Sequence, residues 1–375
     1  MNKKTLWISV VAVLCIIGIS TGITINKNKS NKIEGESWVA YFAPSYTDIV
    51  YDKDKAQVVQ FDTLGNIAVK DEKAYAFSGI VNYKDNIIYQ TTEGLTTFQS
   101  KENEMNLIKD KNTVGYDMSD MIDNKDLFYF LLNESLKEDH YSSNIIIGNE
   151  ENQTMHQLEG FINGYGDDEN NIYLLTSDMK NKYLKQVQKI SVDSQDNISI
   201  KKNDIKFDTI LDSNNKMIIV DGYIYSFVVK EHYGISVLKI SSETLELENI
   251  IDIVKFDSES ENDKYYPISA NSIFYKDGKI YYPMLSGNIY SFNIKTNEFI
   301  EEFTIKDYTF ESDSNIISYY DYDKAEMYFL YYEKESDKYC LTSYSLDGSL
   351  KNKFTLDKLK LTNNMYPHSF IKVNK

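Results

Sequence analysis

Short apolar runs separated by turn-forming residues recur along most of this chain. The clearest unit spans residues 273 to 305 and reads IFYKDGKIYYPMLSGNIYSFNIKTNEFIEEFTI. Its four apolar runs are separated by Lys-Asp-Gly, Ser-Gly and Lys-Thr-Asn-Glu, a pattern that is typical of strands joined by tight turns. The unit therefore predicts four neighbouring strands in one small sheet.

The same order of features occurs seven times. Each repeat has an apolar or aromatic residue near the end of its third predicted strand, at Phe61, Phe98, Ile146, Ile190, Ile240, Phe292 and Tyr344. Four-stranded units of about 40 to 50 residues are typical of β-propellers, whose blades bury their faces against one another. The sequence predicts an all-β fold, a β-propeller of seven four-stranded blades. Six or eight blades, or an ordinary β-sandwich, are the alternatives.

The two ends of the repeat region predict how the ring closes. The first repeat, from Trp38 to Lys70, has residues for only about three strands, and one spare strand, from His368 to Val373, lies near the end of the chain. A ring of blades is complete only when every blade has a neighbour on both sides. We therefore expect the last strand to pair beside Trp38 to Ala43 and to complete the first blade.

An uncharged run of 20 residues, Leu6 to Ile25, lies close to the N-terminus. At a rise of 1.5 Å per residue, a helix of this length spans the hydrocarbon core of about 30 Å. The run predicts one N-terminal transmembrane helix. Residues 1–32 then form a membrane anchor or signal segment with a short polar linker, and residues 33–375 form the propeller domain. A cleaved signal peptide and lipidation at Cys15 stay open as alternatives.

The lysines around this run give a weak orientation signal. Lys3 and Lys4 precede it, and Lys27, Lys29 and Lys32 follow it, so the positive charge is nearly balanced. A very short tail before a first hydrophobic segment normally stays in the cytoplasm. We therefore expect a single-pass protein of the cell membrane with an extracytoplasmic C-terminal domain, and the opposite orientation is the alternative.

Charge narrows the range of partners. All 40 basic residues are lysines, set against 57 acids, and the formal net charge is −17. A nucleic-acid partner is disfavoured because binding to phosphates depends on a basic surface. Without arginine, the chain also lacks the planar group that binds carboxylates or phosphates at two points. The acidity fits a solvated surface or a cationic partner.

Motifs for catalysis or for a cofactor are absent from the sequence. It contains no GxSxG nucleophile motif and no glycine-rich phosphate loop, and its four histidines lack the spacing of metal ligands. Cys340 lies in a predicted strand and is interpreted as a small core residue. We expect no cofactor, and the sequence gives no positive sign of an enzyme.

Acids in predicted turns are the weak candidates for a metal site. Calcium prefers several oxygen ligands, which clustered turn carboxylates supply. The candidates are Asp167, Asp168, Asp321 and Asp323. None of them matches the DxDxDG calcium loop, and solvated turns are the alternative interpretation.

Tyrosines in predicted loops are the candidates for ligand contact. Most of the 31 tyrosines fall at repeated Ile-Tyr positions, where packing between blades explains them. Tyr46, Tyr265 and Tyr266 lie instead in predicted loops. We expect these three to be available to a ligand.

Units such as NIYSFNIKTNEFIEEFTI resemble the degenerate blades of bacterial extracytoplasmic β-propeller proteins with YVTN-like or PQQ-like repeats. The resemblance covers roughly residues 38 to 373, concerns architecture only, and transfers no residue role. It implies a membrane-tethered extracytoplasmic binding or scaffold module, with an envelope protein, a peptide or a glycan as its partner. The alternative is a cell-surface glycoside hydrolase or lyase that uses loop carboxylates.

Overall fold

The structure is a computed structural model, and its strands form seven antiparallel sheets arranged as the blades of a propeller. The described residues are 33, 36–44, 56–73, 78–91, 94–98, 118–137, 140–178, 181, 183–193, 197–207, 211–212, 215–230, 234–255, 265–306, 308, 316–361 and 365–373. The prediction of an all-β propeller with seven blades is confirmed, and a sandwich or another blade number is excluded. The predicted span, Leu6 to Ile25, lies outside the described residues. Within them, no helix is long and apolar enough to cross a bilayer.

The first four blades contain sixteen strands. Blade 1 has β1 (Ser37–Pro44), β2 (Ala56–Asp62), β3 (Ile67–Glu72) and the last strand of the chain, β29 (Met365–Lys372). Blade 2 has β4 (Ile80–Tyr83), β5 (Asn86–Thr91) and β6 (Gly94–Phe98). Blade 3 has β7 (Ser119–Ile122), β8 (Leu127–Lys137), β9 (His140–Gly148) and β10 (Gln153–Glu159). Blade 4 has β11 (Phe161–Asp167), β12 (Asn171–Ser177), β13 (Leu184–Val192) and β14 (Ile198–Lys206), and β16 (Asn215–Lys216) joins its inner edge.

The other three blades follow in chain order. Blade 5 has β15 (Leu211–Asp212), β17 (Ile218–Val220), β18 (Tyr223–Lys230), β19 (Gly234–Ser241) and β20 (Leu247–Lys255). Blade 6 has β21 (Phe274–Lys276), β22 (Lys279–Pro283), β23 (Asn288–Asn293) and β24 (Phe299–Thr304). Blade 7 has β25 (Ile316–Asp321), β26 (Glu326–Glu333), β27 (Lys338–Ser345) and β28 (Leu350–Thr355). Short 3-10 helices lie at Asp123–Lys125 and Ala270–Ser272.

We name the strands of a blade A to D from the axis outward, because the first strands of neighbouring blades contact one another. All seven repeat positions recognised in the sequence lie in strand C. In blade 2 the described strands are A to C, and residues 99–117, which follow strand C, lie outside the described residues. Tight turns join A to B in blades 2 to 7. Asp221-Gly222 and Asp277-Gly278 have positive φ at both residues, as a two-residue type I′ turn requires.

The hydrophobic core is divided into layers between the blades. Buried side chains form seven clusters, and each cluster joins two neighbouring blades. Period-two alternation explains this, because successive side chains of a strand point to opposite faces of its blade. In β1, Trp38 and Ala40 pack toward blade 7, whereas Val39 and Tyr41 pack toward blade 2. Cys340, predicted as a core residue, is fully buried between blades 6 and 7.

The predicted closure of the ring is confirmed. Strand β29 pairs antiparallel with β1, from Trp38 opposite Lys372 to Pro44 opposite Met365. Blade 1 therefore takes strand A from the C-terminal end of the chain and strands B, C and D from its N-terminal part. Phe370 of β29 stacks at 6.3 Å from Phe61 and lies in the cluster between blades 1 and 7.

Ion pairs reinforce this closure. The Lys372 ammonium of β29 pairs with Asp321 at the end of β25 and with Glu36 just before β1, the latter at 2.9 Å. Glu36 also accepts a hydrogen bond from Lys324 of blade 7 at 2.6 Å. Asn82 of blade 2 donates to the Lys372 carbonyl. These contacts tie the C-terminal strand to blades 7 and 2 as well as to blade 1.

The two ends of the ring differ in the length of their connections. The A–B turns of blades 2 to 7 and the C–D turns share one end, which we call the turn face, and between the described strands none of these turns exceeds five residues. The B–C and D–A connections share the other end, which we call the loop face. With residues 99–118 left aside, every longer connection lies on the loop face, at residues 45–55, 73–79, 178–183, 256–273, 305–315 and 356–364.

Deletion of residues 366 to 375 should destabilise the protein by more than the about 3–5 kcal/mol that truncation of one buried Phe to Ala costs. The deletion removes most of β29 and exposes the inner edge of blade 1. Thermal unfolding followed by circular dichroism measures the effect. Deletion of residues 374 and 375 alone, which follow β29, is the matched control. Equal unfolding midpoints for the two deletions would contradict the closure.

Candidate functional site

The predicted ligand-contact tyrosines lie on the loop face where the structure describes them. Tyr265 and Tyr266 precede β21 and are half-buried against the cluster between blades 5 and 6. Their backbone carbonyls are held in place, since Tyr282 Oη donates to Tyr265 at 3.2 Å and the Leu285 N–H donates to Tyr266 at 2.9 Å. Tyr46 lies outside the described residues. Contact of these three with a ligand stays a prediction.

The predicted calcium candidates lie at the turn face, where Asp167 and Asp321 end two inner strands and Asp168 and Asp323 lie in the A–B turns that follow. Asp168 accepts backbone N–H bonds from Asn170 and Asn171 at 2.8 and 2.7 Å, so its carboxylate caps the turn. In the described part of the chain, no group of three or more His, Cys, Asp or Glu side chains is placed to hold a metal ion. Calcium binding at Asp167 and Asp168 stays a prediction beside this turn-capping role.

The second pair of calcium candidates follows the same pattern in blade 7. The buried Asp321 carboxylate accepts the N–H of Asp323 at 3.0 Å and pairs with Lys372. Asp323 itself is exposed. The Asp321 carboxylate therefore serves both the turn and the closure of the ring, and calcium binding by this pair is likewise untested.

An interruption in the inner strand of blade 5 brings a lysine to the axis. β15 and β17 pair with β18, but β16 between them pairs in parallel with β11 of blade 4, with Lys216 opposite Tyr165. Gly166 permits this approach, because a Cβ there would lie 2.3 Å from the Met217 carbonyl oxygen. The strand thus leaves its own blade for a few residues.

Lys216 is the centre of a polar group that we call the axial cluster, formed with Asp120, Asp167 and Tyr129. The Lys216 ammonium donates to the Asp120 carboxylate, and Tyr129 Oη donates to Asp167 at 2.8 Å. The side chains of Lys216 and Asp120 keep 25% and 33% of their surface exposed, so water reaches the pair. Three inner strands and strand B of blade 3 supply the four residues.

Burial and mutual charge set the protonation of the axial cluster. Burial raises the pKa of the Asp167 carboxyl to about 7, and the nearby Asp120 charge adds to the rise, whereas Lys216 and the Tyr129 hydroxyl oppose it. Burial alone would lower the pKa of Lys216, but the carboxylates of Asp120 and Asp167 outweigh it and hold that pKa well above its usual value. The cluster therefore holds a stable cation and a carboxyl that titrates near neutral pH.

A polar cleft opens between blades 3 and 4 on the loop face. Its volume is about 660 Å³, within the range of small-molecule sites. Outer strand β10 forms one wall, and the ends of β12, β13 and β14 form the other. The lining includes Tyr141, Glu159, Thr176, Leu184, Gln186 and Asp204.

One family model matches most of the chain. Its description is "YycP, beta-propeller domain", and the match covers residues 31–371. The chain belongs to the YycP β-propeller family. Among curated proteins, no sequence matches this YycP-family propeller. Membership confirms the resemblance to bacterial β-propellers. It supports a binding or scaffold module in general terms and does not favour the hydrolase or lyase alternative.

Solved structures share the fold of this YycP-family propeller at low identity. An ACO/RPE65 chimera is 8% identical and aligns over 92% of this chain and 95% of its own, with a TM-score of 0.52. A puromycin hydrolase mutant complexed with PGG is 9% identical and aligns over 86% of this chain but 52% of its own, with a TM-score of 0.50. AztD from Citrobacter koseri is 8% identical over 90% and 98%, at 0.46. These likenesses show the fold alone.

Sequence reasoning singled out Asp167 as a calcium candidate but missed the rest of the axial cluster and the cleft. Lys216 follows Asn-Asn and directly precedes the apolar run Met217 to Val220. The signal available for Lys216 in the sequence was this charge next to the pattern of an inner strand. The cleft left no signal, because its walls come from different blades. Behind the lining, Gln188 Nε2 of blade 4 donates to the Glu159 carbonyl of blade 3, 29 residues away in the chain, at 3.0 Å.

Asp167→Asn should reduce the pH dependence of stability. With a pKa near 7 in the fold and about 3.9 unfolded, Asp167 stabilises the fold fully below about pH 4, and this contribution is lost as the pH rises through 7. Asn does not ionise, so the variant does not lose this stabilisation. Between pH 5 and pH 8 its free energy of unfolding should therefore rise by roughly 2 kcal/mol relative to that of the wild type, at about 1.4 kcal/mol per pKa unit. Chemical denaturation at the two pH values measures this gain.

Asp168→Asn is the matched control, because it removes a carboxylate from the turn rather than from the axial cluster. Equal wild-type and Asp167→Asn stabilities at both pH values would contradict the assignment.

Proposed function

We propose that this YycP-family propeller is a membrane-tethered, extracytoplasmic binding module that holds an envelope protein, a peptide or a glycan on its loop face. The observation that carries the proposal is the difference between the two ends of the ring. Short turns close one end, whereas the longer connections and the cleft of about 660 Å³ lie at the other. Binding residues concentrate on loops that a rigid scaffold positions.

The tether rests on the sequence of the N-terminal segment. Leu6 to Ile25 holds no charge and has the length of one membrane-spanning helix. The family match begins at residue 31, which agrees with a division of the chain into an anchor segment, 1–32, and a propeller domain, 33–375.

The direction of β1 supports an arrangement in which the loop face points away from the membrane. β1 is strand B of its blade, so Ser37 lies at the turn face, and the chain before it enters there. Ile33 packs against the cluster between blades 1 and 2. Residues 26 to 32 reach at most about 25 Å, at roughly 3.5 Å per extended residue. The tether therefore holds the turn face near the lipid.

Ile16→Lys should abolish stable membrane attachment. It places a charge at the centre of the predicted span, where lysine costs about 2.5–3.5 kcal/mol. Ile16→Leu is the matched control and should stay in the membrane fraction after a carbonate wash. Retention of the Lys variant at the wild-type level would contradict the anchor.

A photo-crosslinking side chain tests the loop face as the binding surface. Tyr183, exposed in the B–C connection of blade 4, and Glu243, exposed in a C–D turn of blade 5, lie on opposite faces. In intact cells, a probe at position 183 should capture a specific partner by mass spectrometry, and a probe at position 243 should not. Capture of the same partner from position 243 alone would contradict the proposal.

A further inference from the structure

Strand β10, the outermost strand of blade 3, borders the cleft between blades 3 and 4. It pairs with β9 on its inner side, and no described strand pairs with its outer side. The Gly160 N–H donates to the Tyr141 carbonyl at 3.0 Å, and hydrogen-bonded pairs alternate along an antiparallel ladder. The backbone N–H and C=O groups of Met155, Gln157 and Glu159 therefore point away from β9, toward the outer side of the strand.

The outer edge of β10 faces the cleft at its C-terminal end. Gln157 and Glu159 both belong to the lining of the cleft. The Glu159 carbonyl already accepts a hydrogen bond from Gln188 Nε2 of blade 4 at 3.0 Å, as expected for a group that points away from β9. The cleft, of about 660 Å³, is the space next to the remaining edge groups.

The edge of β10 lacks the features that protect the other outer strands from pairing with a further chain. Lysines, prolines and bulges on an edge strand normally prevent such pairing. Among the other described outer strands, β3, β14, β20 and β28 contain lysine, and β20, β24 and β28 have a break in register, as a bulge produces. β10 reads QTMHQLE, without lysine or proline, and pairs with β9 in one unbroken register. It is therefore the outer strand best suited to receive another strand.

The lining of the cleft selects the charge of such an added strand. It contains the carboxylates of Glu159, Asp178 and Asp204 and no lysine. Lys202, which lies outside the lining, pairs with Glu159 at 2.7 Å. Asp204 accepts a hydrogen bond from the neutral amide of Gln186 at 2.8 Å, which leaves the negative charge in place. Basic side chains on the added strand would be attracted to this wall, and acidic side chains would be repelled.

Apolar side chains lie beside these carboxylates. The Tyr141 ring packs edge to face against Phe161 at 5.2 Å, and Leu184 lines the opposite wall. The aliphatic stem of a lysine or arginine packs on such surfaces while its charged end reaches a carboxylate. The cleft therefore suits long basic side chains.

We infer that an extended basic peptide segment of a partner protein adds to blade 3 as a fifth strand, paired with the outer edge of β10 and with its basic side chains in the cleft. In this mode of recognition, main-chain hydrogen bonds supply affinity and side chains supply specificity. The inference rests on the proposed binding function and gives that function a ligand class, a peptide. Under the proposed tether, the site opens on the side away from the membrane.

The test uses the full chain in nanodiscs of phosphatidylcholine, a lipid without the net negative charge that would attract a basic peptide. The probes are the basic hexapeptide acetyl-Thr-Lys-Val-Lys-Val-Thr-amide and the acidic hexapeptide acetyl-Thr-Glu-Val-Glu-Val-Thr-amide. Calorimetry measures Kd. The wild type should bind the basic peptide about tenfold or more tightly than the acidic one, because the lining repels acidic side chains.

Gln157→Pro should weaken binding of the basic peptide by about tenfold or more, since proline removes an outward N–H and its ring blocks an approaching strand. Proline is tolerated on an edge strand where the N–H faces outward, and thermal unfolding checks that the variant is folded. Val69→Pro is the matched control. Val69 is 46% exposed on outer strand β3 of blade 1, where its N–H also points outward, and the change should leave the Kd unaltered.

Asp204→Asn should weaken binding of the basic peptide by about threefold or more, because it removes a negative charge and keeps the shape of the side chain. Asp357→Asn is the matched control, since Asp357 is an exposed carboxylate on the loop face of blade 7 that pairs with Lys338 at 2.6 Å. Equal Kd values for the two variants would overturn the assignment of the basic side chains to the cleft.

Two N-methylated forms of the basic peptide test backbone pairing without a change in the protein. One is methylated at both lysine nitrogens and the other at both valine nitrogens. Successive N–H groups of a strand point to opposite edges, so only one of the two sets faces β10. One form should therefore lose about tenfold or more in affinity, and the other should bind within about threefold of the parent peptide.

Equal binding by the two methylated forms, or binding that Gln157→Pro leaves intact, would overturn the added strand. An acidic peptide that binds as tightly as the basic one would overturn the charge of the ligand. Binding of neither peptide would overturn the inference as a whole. A partner captured from position 183 would then still support the binding module, so the two failures are distinguishable, and failure of both measurements would remove the proposed function as well.

Discussion

The structure depends on closure of the ring, because no blade can bury both of its faces alone. Each of the seven hydrophobic clusters belongs to two blades, so a missing neighbour exposes a full layer of core. The two ends of the repeat array meet in blade 1, where β29 pairs with β1, and both strands bury side chains in the layer between blades 1 and 7. Trp38, packed at 5.5 Å from Tyr328, and Phe370 of β29 fill it. Burial of these large aromatic side chains holds the two ends of the repeat array together.

Closure also brings the inner strands of neighbouring blades together around the axis, where the axial cluster lies. A charge there destabilises the fold unless an opposite charge pairs with it. Removing one partner of a buried pair destabilises the fold by more than the intact pair stabilises it. Lys216 reaches the axis because β16 leaves its blade, and Asp120 and Asp167 compensate its charge. The same polar groups leave one carboxyl titrating near neutral pH. We therefore interpret the axial cluster as a balance of charges, whereas the proposed function concerns the loop face.

Much of the fold was predictable because its determinants are local. The alternation around Phe61 or Phe292, the Asp-Gly turns and the spare strand after His368 can each be recognised within a short segment. The candidate sites were not predictable, because they form where segments that are distant in the sequence meet. Asp168 reads as a possible calcium ligand in the sequence, and the structure shows it accepting two N–H bonds of its own turn. Gln188 reads as an ordinary strand residue, and only the neighbouring blade gives it a role.

Under the proposed tether, the way in which blade 1 is divided decides which end of the molecule faces away from the membrane. Since the C-terminal end of the chain supplies only strand A, the N-terminal part begins with strand B, and strand B starts at the turn face. Had the C-terminal end supplied two strands, the N-terminal part would begin with strand C at the loop face. A tether would then share that face with the long connections and the cleft. Under the proposed function, the division into one strand and three therefore separates attachment from recognition by the full height of a blade.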